Sequence, residues 1–434
     1  MHTLENIRNV AEGVPTQRMG TSLFSSFAPP PRKGVHGNPF LSNAFYKEPE
    51  MSTFPILGKI SAEHFLDTYW QKKPLLIPQA IPDFQSPISA DELAGLSLEP
   101  EVESRLILEH GNTPWELRHG PFTEECFATL PEKHWTLLVQ AVDHWVPEVR
   151  ELLEQFHFLP GWRLDDIMIS YAADGGNVGP HFDQYDVFLL QAEGKRRWQI
   201  GPVYNEHSPT LKDTPLHILS EFEVQQDYVL EPGDMLYLPP GVGHHGVAEG
   251  ECMTISIGFR APSHRDILMQ FTDFVADQLP ERLRYSDADQ QLPKHSLEIG
   301  DDAIDRIQSI LQQYTQNRTL LAEWFGKHMT AQKYEGEPQE QAFSNWQELT
   351  NTLDGEDLYL GHDTRIAFHK PSKSIELFIN GELFTGDHSE TQHLIRQLSD
   401  DHYLDFEHWS SLSHEPSQSL ILKLVNIEAL MSSN

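Results

Sequence analysis

Three features of the sequence predict an α+β chain. Between residues 164 and 259, short β-prone runs alternate with Gly, Pro and Asp turns: Leu164 to Tyr171, Tyr185 to Gln191, Arg196 to Ile200, Tyr228 to Leu230, Met235 to Leu238 and Met253 to Phe259. Many short strands with intervening turns predict a barrel or sandwich. After Pro262 the apolar period lengthens to three or four, which predicts helices. Past residue 335, strand-like runs flank Asn380-Gly381, a strong hairpin signal. A hairpin with helices around it predicts a small winged-helix-like unit.

Taken in order, residues 1–50 come first. They hold five basic and four acidic residues, the run Pro29-Pro30-Pro31-Arg32-Lys33-Gly34 and no sustained apolar period. A disordered extension is expected there, with Met51 opening the folded unit. Residues 51–262 then form the barrel. Within them Asp91-Glu92-Leu93-Ala94-Gly95-Leu96 reads as helical, as does Trp135 to Phe158, where Leu137, Ala141, Val142, Trp145, Val149 and Leu152 recur at helical spacing. Ala192-Glu193-Gly194-Lys195 reads as a turn between two strands.

Residues 263–334 carry two amphipathic helices, one marked by Ile267, Leu268, Phe271, Phe274, Val275 and Leu279, the other by Ile304, Ile307, Ile310 and Leu311. They are expected to pack together or against a second copy of the chain. Residues 335–434 form the winged-helix-like unit. Its strands are read at Thr364 to Phe368, Ser374 to Ile379 and Glu382 to Phe384, and its helices at Thr391 to Leu398 and Ser417 to Met431.

Composition excludes several classes of function. The 434 residues carry 31 Lys and Arg against 65 Asp and Glu, a net charge of −34. Such a field disfavours nucleic acid and anionic membranes and favours a basic partner. Two cysteines, Cys126 and Cys252, rule out a disulfide framework and suit a reducing compartment. No run approaches the roughly 20 apolar residues that span a bilayer, so a soluble, cytoplasmic protein is expected. From residue 281 onward the balance is 12 basic to 26 acidic, so the C-terminal unit is read as a protein-contact module.

Two segments carry chemistry. The first is Gly179-Pro180-His181-Phe182-Asp183-Gln184-Tyr185-Asp186. In a strand, residues two apart share a face, so His181 and Asp183 can aim into one cavity. Alone that pair is weak. The second is Gly233-Asp234-Met235-Leu236-Tyr237-Leu238-Pro239-Pro240-Gly241-Val242-Gly243-His244, with the Gly-x5-Pro-x-Gly-x2-His spacing of cupin barrels. A buried strand and a tight turn return His244 toward the interior. Two imidazoles and one carboxylate form the facial triad of non-haem Fe(II) oxygenases, with positions left open on the ion. The expected fold is therefore a double-stranded β-helix (cupin or jelly-roll) barrel, with a helical dimerisation segment and a winged-helix-like C-terminal domain.

With these motifs the sequence resembles the Jumonji-C-type, Fe(II)- and 2-oxoglutarate-dependent oxygenases, and among them the bacterial ribosomal oxygenases. The resemblance runs from about residue 54 and includes Trp70-Gln71-Lys72-Lys73-Pro74, Gly176-Asn177-Val178-Gly179-Pro180-His181 and Ile257-Gly258-Phe259-Arg260-Ala261-Pro262. It implies His181, Asp183 and His244 as iron ligands. Neighbouring His245 is a rival for the last place, which the spacing and the family position both give to His244, leaving His245 at the rim. The resemblance also implies Arg196 as the cation for the distal carboxylate of 2-oxoglutarate, with Ser170 assisting. Lys195 and Arg197 are read as solvated charges, and His110, His119 and His217 as surface or structural groups.

The implied activity uses O2 and 2-oxoglutarate to hydroxylate C3 of an arginine in a basic large-subunit ribosomal protein, by a homodimer. Asp165, Asp166, Asp174 and Asp186 are candidates for an acidic entrance receiving a cationic side chain. The competing readings are a metal-dependent cupin enzyme acting on a small molecule and a non-catalytic binding protein.

Overall fold

The computed structural model describes residues 55–109, 115–334 and 343–432; the expected extension over residues 1–50, and His110, lie outside the described residues. Nine antiparallel strands make one sheet: β1 (Leu75–Ile77), β2 (Ser104–Leu108), β3 (Glu116–His119), β4 (Trp135–Val139), β5 (Leu164–Ala172), β6 (Val187–Val203), β7 (Gln226–Leu230), β8 (Met235–Leu238) and β9 (Val242–Phe259). Their order is β1-β8-β6-β9-β5-β4-β2-β3, with β7 also paired to β6. The sheet wraps into the double-stranded β-helix barrel.

Strands β6 and β9 are 17 and 18 residues long and give the barrel its shape. The first part of β6 pairs with β8 and the second with β7, while β9 follows β6 and adds β5 on its other edge. Ala192-Glu193-Gly194-Lys195, expected as a turn, lies inside β6. Register shifts on either side of Glu193 mark a bulge that redirects the strand without ending it. Gly194 has φ +61°, and a Cβ there would collide with the Glu251 carbonyl, so the kink depends on glycine.

Both faces of the central strands are buried. Phe188 and Leu190 join Phe65, Phe156, Tyr237 and Phe259 in one core, with the rings of Phe188 and Phe156 4.9 Å apart. Val187 and Leu189 point the other way, toward Trp198, Ile200, Leu236 and Leu238. This explains why the sequence there is an unbroken apolar run.

The helix expected from Trp135 to Phe158 does not form. Trp135–Val139 is β4, held between β2 and β5 with Leu137 and Val139 buried; short helical turns follow at Val142–His144, Pro147–Arg150 and Glu151–Phe156. Ala141 at φ +53° and Pro147 at the start of its own turn break the chain twice. Leu137 and Val139 fit both periods, and tertiary pairing selects the strand. The C-terminal helix also stops early: Glu415–Asn426 is helical, Glu428 reverses the chain at φ +56°, and Leu430–Ser432 pairs with Leu358–Leu360.

In the C-terminal module the hairpin Ile375–Ile379 and Glu382–Gly386 turns at Asn380 and Gly381, with φ of +49° and +81°, the positive pair that a type I′ turn requires. Among the helical elements, α1 (His264–Asp277) and α2 (Asp301–Thr315) match the two amphipathic runs. A third helix, α3 (Arg318–Thr330), was not read from the sequence. It supplies the partner of α1, with the Phe271 and Trp324 rings 5.6 Å apart. Its other face lies on the hairpin, where Gly326 admits the Phe378 ring. Ile304, Ile307 and Leu311 of α2 remain exposed.

Charged groups weld this module to β5. Asp165 receives Arg260 at 3.0 Å and Arg365 at 2.9 Å, and Asp166 receives Lys333 at 2.6 Å. Burial works to raise the Asp165 pKa, but Lys333, Arg365 and Arg260 hold it far below the usual carboxylate range. Asp165 therefore binds the module to the barrel through Arg365, and Asp166 binds the segment after α3 through Lys333, instead of lining an entrance. Arg365→Met should lower unfolding free energy by about 3 kcal/mol, the low end for breaking a buried pair because Arg260 remains; an unchanged urea midpoint would contradict this role.

Candidate metal centre

The segment around His181 is shaped by its neighbours more than by strand pairing. Asn177 accepts the Gly179 N–H at 3.0 Å and donates to the Gly175 carbonyl at 3.0 Å and to Glu109 at 2.9 Å. Gly179 has φ +78°, and a Cβ there would run into Ile218. His181 is not in a regular strand: it forms an isolated bridge with His244, each backbone N–H donating to the other's carbonyl at 3.0 and 2.8 Å. Pro180 has no N–H to continue a ladder. Beyond the bridge, the Gly241 N–H donates to the Asp183 carbonyl at 2.7 Å, so the glycine-proline turn before β9 grips the segment a second time.

The bridge sets His181 and His244 side by side, with ring centroids 4.3 Å apart. Nδ1 of His181 lies 2.9 Å from the Gly179 carbonyl and Nδ1 of His244 lies 3.0 Å from that of Val242. A carbonyl only accepts, so each Nδ1 carries the proton and each Nε2 keeps its lone pair. Burial, and then the adjacent His181, push the His244 pKa down to about 4. The ring is neutral at neutral pH, and no proton has to leave before it binds a cation. Asp183 Oδ2 lies 3.6 Å from His244 Nε2. Ligand-capable atoms of His181, Asp183 and His244 all fall within 4.8 Å of one another, the one such trio among the described residues. Two nitrogen lone pairs and a carboxylate on one side suit a divalent transition metal with open positions.

His245 is turned away by the strand period. His244 pairs with Ile200 and His245 with Gln199 on β6, so their side chains take opposite faces. His245 Nε2 lies 3.2 Å from Asn177 Oδ1, and through Asn177 it braces the loop that carries His181.

Arg196 lies on β6 at the same phase as Trp198. It is buried, its Nη1 donating to Ser170 Oγ at 3.1 Å and Thr254 Oγ1 at 3.2 Å. Among the described residues no carboxylate pairs with it, and its buried Nε has no partner. Burial lowers its pKa, but a guanidinium remains charged. A buried cation short of partners fits an incoming anion. Trp198 bridges the two halves of the site, 5.4 Å from the guanidinium and 5.9 Å from the His244 ring; its buried Nε1 is also unpartnered among the described residues. Lys195 and Arg197 face outward and pair with Glu231, Asp227 and Glu249.

Thr254 and Gln191 were not among the residues singled out from the sequence. Ser170, Thr254 and Gln191 stand in register on β5, β9 and β6, a polar row across three strands. The signal was present as a polar residue set in an apolar run of each strand, but the register that aligns them is a tertiary fact. The acidic entrance also needs correction. Asp186 is buried and holds Tyr237 at 2.7 Å, Arg163 at 3.0 Å and Gln71 at 2.9 Å. Asp174 pairs with Lys133 and accepts the Gly250 N–H. His119 and His217 are exposed.

Residues 151–267 match the JmjC domain family and residues 310–431 the ROXA-like winged helix family. The chain is 40% identical over 273 residues to the ribosomal protein uL16 3-hydroxylase of Escherichia coli (strain K12), covering 62% of this chain and 72% of that one. It is 30% identical over 384 residues to a probable ribosomal oxygenase of Haemophilus influenzae, covering 85% and 94%. The fold superposes with a TM-score of 0.76 on YcfD, a ribosomal oxygenase from Escherichia coli, in complex with cobalt and 2-oxoglutarate, at 33% identity over 87% of this chain and 99% of that one. With relatives of 30–40% identity matched over 72–99% of their own length, the chain belongs to the JmjC-domain ribosomal oxygenases.

Proposed function

We propose that this chain is an Fe(II)- and 2-oxoglutarate-dependent oxygenase that hydroxylates C3 of an arginine in a large-subunit ribosomal protein. The observation that carries the reading is the pairing of two features on either side of Trp198: the convergent His181, Asp183 and His244, and the buried Arg196, which has no carboxylate partner among the described residues. A small-molecule cupin would leave that arginine without a purpose.

His181, Asp183 and His244 would hold the metal, each imidazole fixed in the ligating tautomer by its carbonyl contact. When bound, Fe(II), 2-oxoglutarate and O2 supply the oxidising power that puts one oxygen atom into a C–H bond, with succinate and CO2 as the other products. Arg196 would receive the distal carboxylate of the cosubstrate, with Ser170 holding the guanidinium in place. Trp198 closes the space between arginine and ligand histidine.

The substrate assignment rests on the uL16 3-hydroxylase relative and on charge. At −34 the chain attracts a basic ribosomal protein and steers its approach. Such a substrate points to the cytoplasm. We assign residues 51–262 to catalysis, 263–334 to pairing with a second copy and 335–434 to protein contact. The pairing surface is apolar: Leu268 and Met269 on α1 and Ile304, Ile307 and Leu311 on α2 are exposed at 46–64%.

His181→Ala or Asp183→Ala should reduce 2-oxoglutarate turnover to background and remove Co(II) binding followed by its absorption spectrum. His245→Ala should keep Co(II) affinity within about tenfold; equal losses at His245 and His181 would overturn the ligand assignment. Arg196→Ala should raise the KM for 2-oxoglutarate about 100-fold, the value of a charge-assisted pair, and leave Co(II) affinity unchanged. Light scattering should give the mass of two chains, and Leu311→Glu that of one; a monomeric wild type would remove the pairing assignment.

A further inference from the structure

The hydroxyl of Thr254 has one proton to give, and the structure fixes where it goes. Gln191 is fully buried, and its amide nitrogen donates to the Glu193 carbonyl at 2.8 Å. A carbonyl cannot donate, so the amide oxygen of Gln191 is turned toward Thr254 and accepts its hydroxyl proton at 3.1 Å. Thr254 is left with only lone pairs for Arg196, whose Nη1 donates to it at 3.2 Å. Ser170 accepts from the same nitrogen at 3.1 Å, its own proton directed to the Thr254 carbonyl in a long 3.5 Å contact. Both protons of Nη1 are thereby taken, and Nη2 donates to none of the described residues.

Resting on the function proposed above, we propose that Gln191 is a positioning residue for cosubstrate binding. By fixing the polarity of the Thr254 hydroxyl it anchors Nη1 of Arg196, so that Nη2 and the unpartnered Nε are the donors left for the distal carboxylate. The bulge at Glu193, which supplies the carbonyl that orients Gln191, is the same irregularity that lets β6 change partner. The barrel's bend and the orientation of its buried arginine are thus one construction.

The test is calorimetric binding of 2-oxoglutarate and of oxalate to Co(II)-loaded protein without turnover. Oxalate chelates metal but has no distal carboxylate, so it reports the metal centre alone. Gln191→Leu and Thr254→Val should each weaken 2-oxoglutarate about tenfold, as loss of a supporting hydrogen bond does, and leave oxalate within about twofold. Thr254→Ser keeps the hydroxyl and should bind as wild type. The double variant Q191L/T254V should bind no more weakly than T254V, because Gln191 acts through Thr254. Full 2-oxoglutarate affinity in Q191L, an equal loss for oxalate, or additive losses in the double variant would overturn the proposal. If Q191L does not fold, the T254V and T254S pair decides between a polar and a packing role. A wild type that binds oxalate but not 2-oxoglutarate would instead overturn the cosubstrate assignment.

Discussion

Between His181 and His244 the main chain exchanges two hydrogen bonds, N–H to O=C in both directions, at 3.0 and 2.8 Å. One ligand-bearing loop is thereby tied to the start of β9 at a single residue, and the rest of the centre follows from it. The bridge sets the imidazoles side by side, and the turn at Gly241 fixes Asp183 from beyond. Because the bridge places the pair through backbone atoms, the ligating nitrogens need no contact with each other and stay free. Two features protect it: Gly179 in a conformation and space that exclude a side chain, and Asn177, which braces the same loop to Glu109 and His245.

The second constraint is electrostatic. Arg196 is buried among Ser170, Thr254 and Trp198 with no carboxylate partner among the described residues. Burying a lone guanidinium is costly, and a fold that tolerates it stores a preference for an anion at that place. The outer face of the same strand shows the contrast: Lys195 and Arg197, one residue to either side, each have surface carboxylates. Strand alternation alone assigns one of three consecutive cations to the cavity and two to solvent.

Much of this was legible in the sequence because it is local. The glycine-proline spacing before His244, the His-x-Asp pair and the Asn380-Gly381 turn are short-range patterns with short-range causes. What was not legible depends on partners distant in sequence. Trp135–Val139 satisfies a helical period and becomes a strand because β2 and β5 flank it. Ala192-Glu193-Gly194-Lys195 has turn composition and becomes a bulge because β9 continues alongside. Asp165, Asp166 and Asp186 looked like a solvent-facing acidic rim, yet each meets basic groups supplied from elsewhere in the chain. Thr254 and Gln191 stood in plain sight as isolated polar residues, and only the register of three strands makes them a set.

The activity proposed for His181, Asp183 and His244 is the oxidation of a ribosomal protein. Its most direct measurement is mass spectrometry of isolated large-subunit ribosomal proteins incubated with the purified chain, Fe(II), 2-oxoglutarate and O2. The account predicts a gain of one oxygen atom on a single protein, at C3 of one arginine, dependent on 2-oxoglutarate and absent with the Asp183→Ala variant. Unchanged masses in every ribosomal protein, with 2-oxoglutarate still consumed, would contradict it.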